Sequence, residues 1–454
     1  SGDSLEYGVL AGAAAALAVP EDPPLKSPDQ FKLIGTKVPR VDTSVKIDGS
    51  AVFGTDVDLP GMLYGAVRHC PVFSSKIAGI DDTAAKAIPG VVAVIPLENL
   101  VIVVATNTWI AMQGADALVI KATGGDASFG DADIDTRIEQ SLNAPNPGAP
   151  GAHEGDADQA ISSSDATMEF EYAVSLQAHA TMEPPCATAQ VTDEGCDVWA
   201  PTQTQGLTAM IASMITQLPP EKIRIHTTYL GGGFGRKSSP DFVVPALIAA
   251  KVTGRPVKVT WSRTEDIQHD HYLPPFRVRL NAGLDADGIP RALSVRLAGP
   301  STSIGMVPLL GSYFPPWMAE NGFDWATCVG MFDFTSQAGS YAVPNLKVDF
   351  VHTKMPVPVG FWRSVGTVHN AFALESAMDE IAHEHGSDPI NLRRELLRDN
   401  PRALRVLDRV EQTSGWGGTL PEGHYQGMGY IYYLDCYQAQ VCLLYTSPSP
   451  RDRG

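Results

Sequence analysis

Gly231-Gly232-Gly233-Phe234-Gly235-Arg236-Lys237 is the stretch on which the reading of this chain turns. Four glycines fall in its first five residues, directly after the β-like run Ile223 to Leu230 and before a helix that opens near Asp241. Glycine at this density is needed where the backbone takes positive φ or must come close to another group. Main-chain N–H groups at such a turn can cradle an anion or an oxygen ligand. A flexible turn is the plain alternative, but a triple glycine beside a large aromatic is costly for a mere turn. Two familiar glycine motifs do not fit. A P-loop places glycine directly before its lysine, where this chain has Arg236, and a dinucleotide-binding GxGxxG needs a final glycine where Arg236 or Ser238 stands.

Working outward, Pro201-Thr202-Gln203-Thr204-Gln205-Gly206 follows the strand-like Asp197-Val198-Trp199. It precedes Leu207, Met210, Ile211, Met214, Ile215 and Leu218, whose alternating steps of three and one make one apolar helical face from 206 to 218. A glutamine at such a bend can donate to an oxo or carbonyl ligand; a helix-capping loop is the alternative. Gln177 to Pro185 carries His179 and Glu183 four apart, but Pro184-Pro185 disfavours the helix that would align them on a metal. Structural hydrogen bonding is the better reading of His179. Gly360-Phe361-Trp362-Arg363-Ser364-Val365-Gly366 sets an arginine among aromatics in a glycine-bounded turn. Such an arginine can meet a substrate oxygen or a developing negative charge, or form a surface ion pair.

The rest reads as mixed α and β. Helices are expected over 241–253, closed by Gly254, over 371–385, and from Asp388-Pro389, with Asp as N-cap and Pro at the first turn. Strands are expected at Ala51–Phe53, Met62–Val67, Val91–Ile95, Val101–Ala105, Val257–Trp261 and Arg277–Leu280. Residues 122–165 are rich in Gly, Asp, Ala and Pro and read as a loose boundary, and Val9 to Pro20 as a short alanine-rich surface helix.

The chain has 454 residues, too many for one hydrophobic core. With 44% hydrophobic and 19% charged residues it has the balance of a packed chain. Lys plus Arg number 33 and Asp plus Glu 51, so the net charge is 33 − 51 = −18, which disfavours nucleic acid as a partner. No apolar run approaches the roughly 20 residues of a membrane span. The six cysteines (70, 186, 196, 328, 436 and 442) show no CxxC spacing, so neither a metal nor an iron–sulfur cluster is expected on them. Ser1 is not an initiator methionine, which leaves localisation open between the bacterial periplasm or cell envelope and the cytoplasm.

Taken together these segments resemble the large subunit of the xanthine oxidase family of molybdenum hydroxylases. The nearest branch is that of isoquinoline 1-oxidoreductase and bacterial aldehyde dehydrogenases. DGSAVFGTDVDLPGMLYGAVRHCPVF with PGVVAVI is similar to the family's small hammerhead domain. PTQTQ, GGGFGRK and GFWRSVGTVHNAFALESAMDEIA are similar to its cofactor-domain signatures, and the likeness runs from about Lys26 to Val441. The resemblance implies an α+β fold, with a small α/β hammerhead domain followed by part of the molybdopterin-binding domain. Its boundaries would be 1–40 as an extended linker or remnant, 41–125 hammerhead-like, 126–165 linker, 166–441 partial molybdopterin-binding region and 442–454 a non-native tail resembling translated adapter read-through.

The resemblance further implies a molybdopterin cofactor with Mo, as the cytosine dinucleotide, and no direct protein ligand to the metal. Gln203 matches the glutamine that meets a molybdenum oxygen, and Gly232, Gly233, Phe234 and Gly235 match the loop that presses amides on it. Arg363 matches the arginine that orients substrate or stabilises transition-state charge, with Trp362 and Ser238 at the substrate pocket. Ser238 stands where purine-type members carry glutamate, which argues against a purine substrate. The implied reaction is hydroxylation of aldehydes or N-heterocyclic aromatics with water as oxygen donor. Electrons would leave to 2Fe–2S clusters on a small iron–sulfur partner subunit, with a cytochrome as a candidate acceptor. The glycine-rich motif that carries the family's general-base glutamate is absent, so this polypeptide alone is expected not to turn over. Competing readings are a flavin- or nicotinamide-dependent dehydrogenase and a non-catalytic binding protein that keeps the fold.

Overall fold

The computed structural model describes residues 4–302 and 340–445, and the chain divides into two compact units, Ser1–Ala51 and Val52–Gly454. The first holds the α-helix Tyr7–Ala15, a 3₁₀ turn at Pro28–Gln30 and the short helix Thr43–Ile47. Every residue of Tyr7–Ala15 is exposed, as expected of the alanine-rich stretch.

The second unit is built on two large sheets. One has seven strands in the order Ile223–Thr227, Cys196–Ala200, Cys186–Val191, Val257–Thr260, Leu63–His69, Leu100–Ala105 and Val91–Pro96. Val101 to Val104, in the strand next to the edge, are wholly buried, with Ile102 and Val104 in one core and Val103 in another, which explains their unbroken β-branched run. The helices Gln205–Thr216 and Val244–Thr253 cover it, the latter through Ala246, Leu247, Ala249 and Ala250. Strands from 41–125 therefore share a sheet with strands from 166–441: Leu63 to Gly65 pair in parallel with Val257 to Val259. Gly65 allows this, since a Cβ there would lie 2.8 Å from Val259 Cγ2. Ala51–Phe53 forms no strand; Phe53 makes one isolated bridge to Tyr229.

The five-stranded sheet runs Ala149–Glu154, Asn345–His352, Pro290–Gly299, Phe276–Leu284 and Ala166–Val174. Leu280, Leu293 and Phe350 from it share a core with Met378 and Ile381 of the helix Thr367–Glu384. Residues 126–165, expected as a linker, are instead ordered elements. They hold the helix Asp131–Leu142, the edge strand Ala149–Glu154 and the helix Ala157–Ser162. Ile134, Ile138 and Leu142, four apart, bury one helical stripe against Ala298 and Val351. The hairpin His424–Tyr433 with Cys436–Tyr445 carries its ladder through Cys442 to Tyr445, so these four residues are strand; Thr446 onward lies outside the described residues. Among the described residues no helix is long and apolar enough to cross a membrane.

Two neighbouring parallel strands position the site. Cys196–Ala200 and Ile223–Thr227 pair in register, Cys196 with Ile223 through Ala200 with Thr227, so the loops that follow them leave the same end of the sheet. Asp197 helps to hold this pair: its carboxylate meets Arg224 at 2.6 Å and His226 at 2.7 Å. The hydrogen bond from Arg224, followed by that from His226, lowers its pKa from 3.8 to about 2 against the pull of burial. A depressed carboxylate stabilises above its unfolded pKa and loses that contribution as pH falls through the folded value. Arg224 is largely exposed, so the gain is discounted for screening. Asp197→Asn is expected to cost roughly 1 kcal/mol at pH 7. In urea titrations the difference from the unmutated chain should close between about pH 4 and pH 2.

Candidate functional site

The amide loop, residues 231–237, is shaped by backbone that side chains disfavour. φ is +102° at Gly232, +52° at Phe234 and +104° at Gly235. A Cβ at Gly233 would sit 2.5 Å from Gln203 Oε1, and one at Gly235 would collide with the carbonyl oxygen of Phe361. The loop closes when Arg236 N donates to Gly233 O at 2.8 Å. Among the described residues, no hydrogen-bond partner takes up the amides of Gly232, Gly233 and Phe234.

The two cations of the loop point inward. Lys237 is fully buried, and its Nζ lies 2.7 Å from Glu183 Oε2. That same oxygen accepts from Gly231 N at 3.0 Å, while Oε1 accepts from Thr55 N at 3.3 Å. Arg236 donates to both oxygens of Asp241, at 2.7 and 2.9 Å, and its Nε pairs with Asp270 Oδ1 at 2.7 Å. Neither cation faces solvent, and the large side chain the loop exposes is that of Phe234.

The other site residues gather on this loop through the backbone. Gln203 N donates to Lys237 O at 3.0 Å, and Gln203 Oε1 accepts from Gly235 N at 3.2 Å. Thr204 Oγ1 donates to Ser238 O at 2.9 Å, and Ser238 N to Gly235 O at 3.0 Å. The aromatic loop, residues 360–366, docks from the far side. Gly360 N donates to Tyr272 O at 3.0 Å, and Arg363 N donates to Phe234 O at 2.7 Å. The side chains of Gln203, Phe234 and Arg363 are exposed, and Trp362 lies against His179 with ring centroids 4.6 Å apart. Gln203, Gly232, Gly233, Phe234, Gly235, Ser238, Trp362 and Arg363 thus form one patch.

His179 is engaged in hydrogen bonding to Asp270 and to the Phe361 carbonyl, not in a metal site. The residues that sequence reasoning passed over are Glu183 and Asp270, which grip the amide loop from behind. Glu183 was visible only as a carboxylate before two prolines, and Asp270 carried no local signal. A further cavity of about 560 Å³ opens beside the aromatic loop, lined by Ser364, Thr367, Glu375, Asp379, Gly429 and Gln440 among others. Burial raises the Glu375 carboxyl above its ordinary range against Arg393, Tyr430 N and Tyr341, all of which favour its charged form. At another place His69, Glu265 and His269 bring ligand-type atoms within 4.8 Å of one another. Its carboxylate is already occupied: Arg68 meets Oε1 at 3.1 Å, and His69 meets Oε2 through N at 3.1 Å and Nδ1 at 2.7 Å. This group ties the strand Leu63–His69 to the helix Arg263–Gln268.

The outward face of the patch offers unshared amides and a carboxamide, in a cradle that a Cβ would fill. That donor set suits oxygens on a cofactor and does not suit direct ligation of a metal. The sequence matches the molybdopterin cofactor-binding domain family over residues 142–306 and 319–397, more than half of the chain, and the protein belongs to that family.

It is 29% identical over 430 residues to the isoquinoline 1-oxidoreductase subunit beta of Brevundimonas diminuta, covering 92% of this chain and 54% of that protein. It is also 29% identical over 433 residues to a membrane-bound, pyrroloquinoline-quinone aldehyde dehydrogenase of Gluconacetobacter polyoxogenes, covering 89% and 55%. The chain thus spans about half the length of these relatives. Among solved structures, the aldehyde oxidoreductase of Desulfovibrio gigas superposes with a TM-score of 0.67 at 21% identity, over 87% of this chain and 49% of that one. This likeness shows the shared α+β fold. The matches do not favour a flavin- or nicotinamide-dependent dehydrogenase.

Proposed function

We propose that the chain is the cofactor-facing part of the large subunit of a molybdenum hydroxylase that oxidises aldehydes or N-heterocyclic aromatics. The observation that carries this reading is the meeting of three sequence-distant loops on one row of amides, closed by the 3.2 Å contact of Gly235 N with Gln203 Oε1. Gly232, Gly233 and Phe234 would hold the cofactor's oxygens through main-chain N–H, and Gln203, seated against the same loop, would add its side-chain N–H₂. The cofactor, in its cytosine dinucleotide form, would supply the redox chemistry that inserts an oxygen from water into an electron-poor carbon.

This chain's own residues bind and orient. Arg363, exposed at the rim, meets the substrate oxygen and stabilises negative charge as it develops. Trp362, held by His179, supplies an aromatic wall beside it. Ser238, with a short neutral side chain, leaves a purine without a carboxylate partner. Accepting the released electrons would fall to 2Fe–2S clusters on a small partner subunit, since the cysteines of this chain are scattered through its sequence and suit no cluster.

Two measurements on the complete enzyme, expressed with its partner subunit, test the reading. One is elemental and pterin analysis together with product labelling from ¹⁸O-water; stoichiometric flavin, nicotinamide or quinone without molybdenum would overturn the proposal. The other is Arg363→Gln, expected to lower kcat/KM by about 10²–10³-fold with molybdenum content unchanged.

A further inference from the structure

We propose that the cavity between the helix Thr367–Glu384 and the hairpin of His424–Tyr433 with Cys436–Tyr445 binds a small organic carboxylate. The first turn of the helix holds its anionic group, and its apolar body lies along the hairpin. At about 560 Å³ the cavity is within the range of small-molecule sites. No residue of the amide loop lines it, and the inference does not rest on the proposed function.

The helix begins without a cap. Its N-cap residue is Gly366, which has no side chain, and its first turn carries no acid. Thr367 N and Asn370 N donate to Ser364 O and Gly366 O, at 3.0 and 3.1 Å, whereas Val368 N has no partner among the described residues. A second observation is independent of the backbone. Thr367 is only 7% exposed, and its Oγ1 has no hydrogen-bond partner among the described residues. A buried hydroxyl left unpaired destabilises the fold, so its presence here points to a ligand that pairs with it. Ser364, Thr367 and Val368 all line the cavity. A free N–H, an unpaired hydroxyl and the positive end of an 18-residue helix together suit an oxyanion.

The hairpin makes the room for the rest of the molecule. Met428 and Tyr430 pack into the core, while Gly427, Gly429 and Ile431 line the cavity beside their strand partners Cys442, Gln440 and Gln438. A Cβ at Gly427 would meet nothing within 4 Å, and one at Gly429 only Glu375, 3.9 Å away. Val368, Ala371 and Ile431 give the space apolar walls. Its far end is acidic. A rise of about 1.5 Å per residue puts Glu375 about 12 Å and Asp379 about 18 Å along the helix from Thr367. Arg393 pairs with both, Nε with Glu375 Oε2 at 2.9 Å and Nη1 with Asp379 Oδ1 at 2.7 Å. The anion therefore belongs at the Thr367 end. These acids and the net charge of −18 favour the single charge of a carboxylate over the near-double charge of a phosphate.

Isothermal titration calorimetry on this chain tests the site with 4-phenylbutyrate and its neutral analogue 4-phenylbutyramide. The carboxylate should bind, and the amide should bind about 10-fold more weakly or not at all. Thr367→Val removes the hydroxyl at nearly constant shape and should weaken 4-phenylbutyrate about 10-fold. The same variant should leave the Tm of the ligand-free chain unchanged or raised, because no protein contact is lost; a hydroxyl kept for structure would lower it. Gly427→Val fills the cavity from a position where its Cβ meets nothing, and should abolish binding. That variant carries the test should Thr367→Val not fold. No binding of 4-phenylbutyrate, equal binding of acid and amide, or binding unmoved by both substitutions would overturn the proposal. A lowered Tm in Thr367→Val, or tighter binding of inorganic phosphate than of 4-phenylbutyrate, would do the same.

Discussion

Gly235→Ala is expected to destabilise the chain by about 3–5 kcal/mol, from a backbone conformation denied to alanine and from a clash that side-chain motion cannot relieve. At φ = +104° Gly235 lies beyond the left-handed region that other residues occasionally use. Its Cβ would strike the carbonyl oxygen of Phe361, which is main chain and is held from its other side by His179. Relief therefore requires the aromatic loop to back away, breaking the bonds from Arg363 N to Phe234 O and between His179 Nε2 and Phe361 O. Urea unfolding measures the cost. Gly254→Ala is the control: it too has positive φ, +64°, but nothing lies within 4 Å of its Cβ, so it should cost only the conformational part, about 1 kcal/mol. Equal losses for the two variants would show that the loops are not pressed together.

How much of this was legible in the sequence depended on distance along the chain. Gly231 to Lys237 announced itself because four glycines in a row of five can serve few purposes, and the helix at Gln205–Thr216 because its apolar steps are local. The helix Asp131–Leu142 was hidden. Ile134, Ile138 and Leu142 are its buried residues, and the surrounding aspartates and flanking glycines read as loop. The shared sheet could not be read at all, since pairing of Leu63 with Val257 is a long-range choice that no local pattern encodes. The site divides in the same way. Gln203, Gly232–Gly235 and Arg363 lie in compact motifs, whereas the partners that hold them do not. His179 and Asp270 are 91 residues apart, and Glu183 and Lys237 are 54 apart. Each of these carboxylates looks, in its own segment, like any surface acid.

The Glu183–Lys237 pair leads to the second large effect. Lys237→Met is expected to cost roughly 3–5 kcal/mol, the usual result of removing one partner of a buried ion pair. The loss would come less from the missing contact than from Glu183, left as a carboxylate in the interior with Gly231 N, Thr55 N and the Cys186 thiol to face it. Glu183→Gln fails differently. Gly231 N, Lys237 Nζ, Thr55 N and the Cys186 thiol are four donors converging on two oxygens, and a carboxamide would turn its own N–H₂ toward some of them. Its deficit should be similar in size, because a donor is then left facing a donor in the interior. The double variant should lie well short of the sum of the singles, by about 2 kcal/mol, since each single leaves the other partner unsatisfied. Strict additivity, or a Lys237→Met deficit below about 1 kcal/mol, would mean that this pair does not anchor the amide loop.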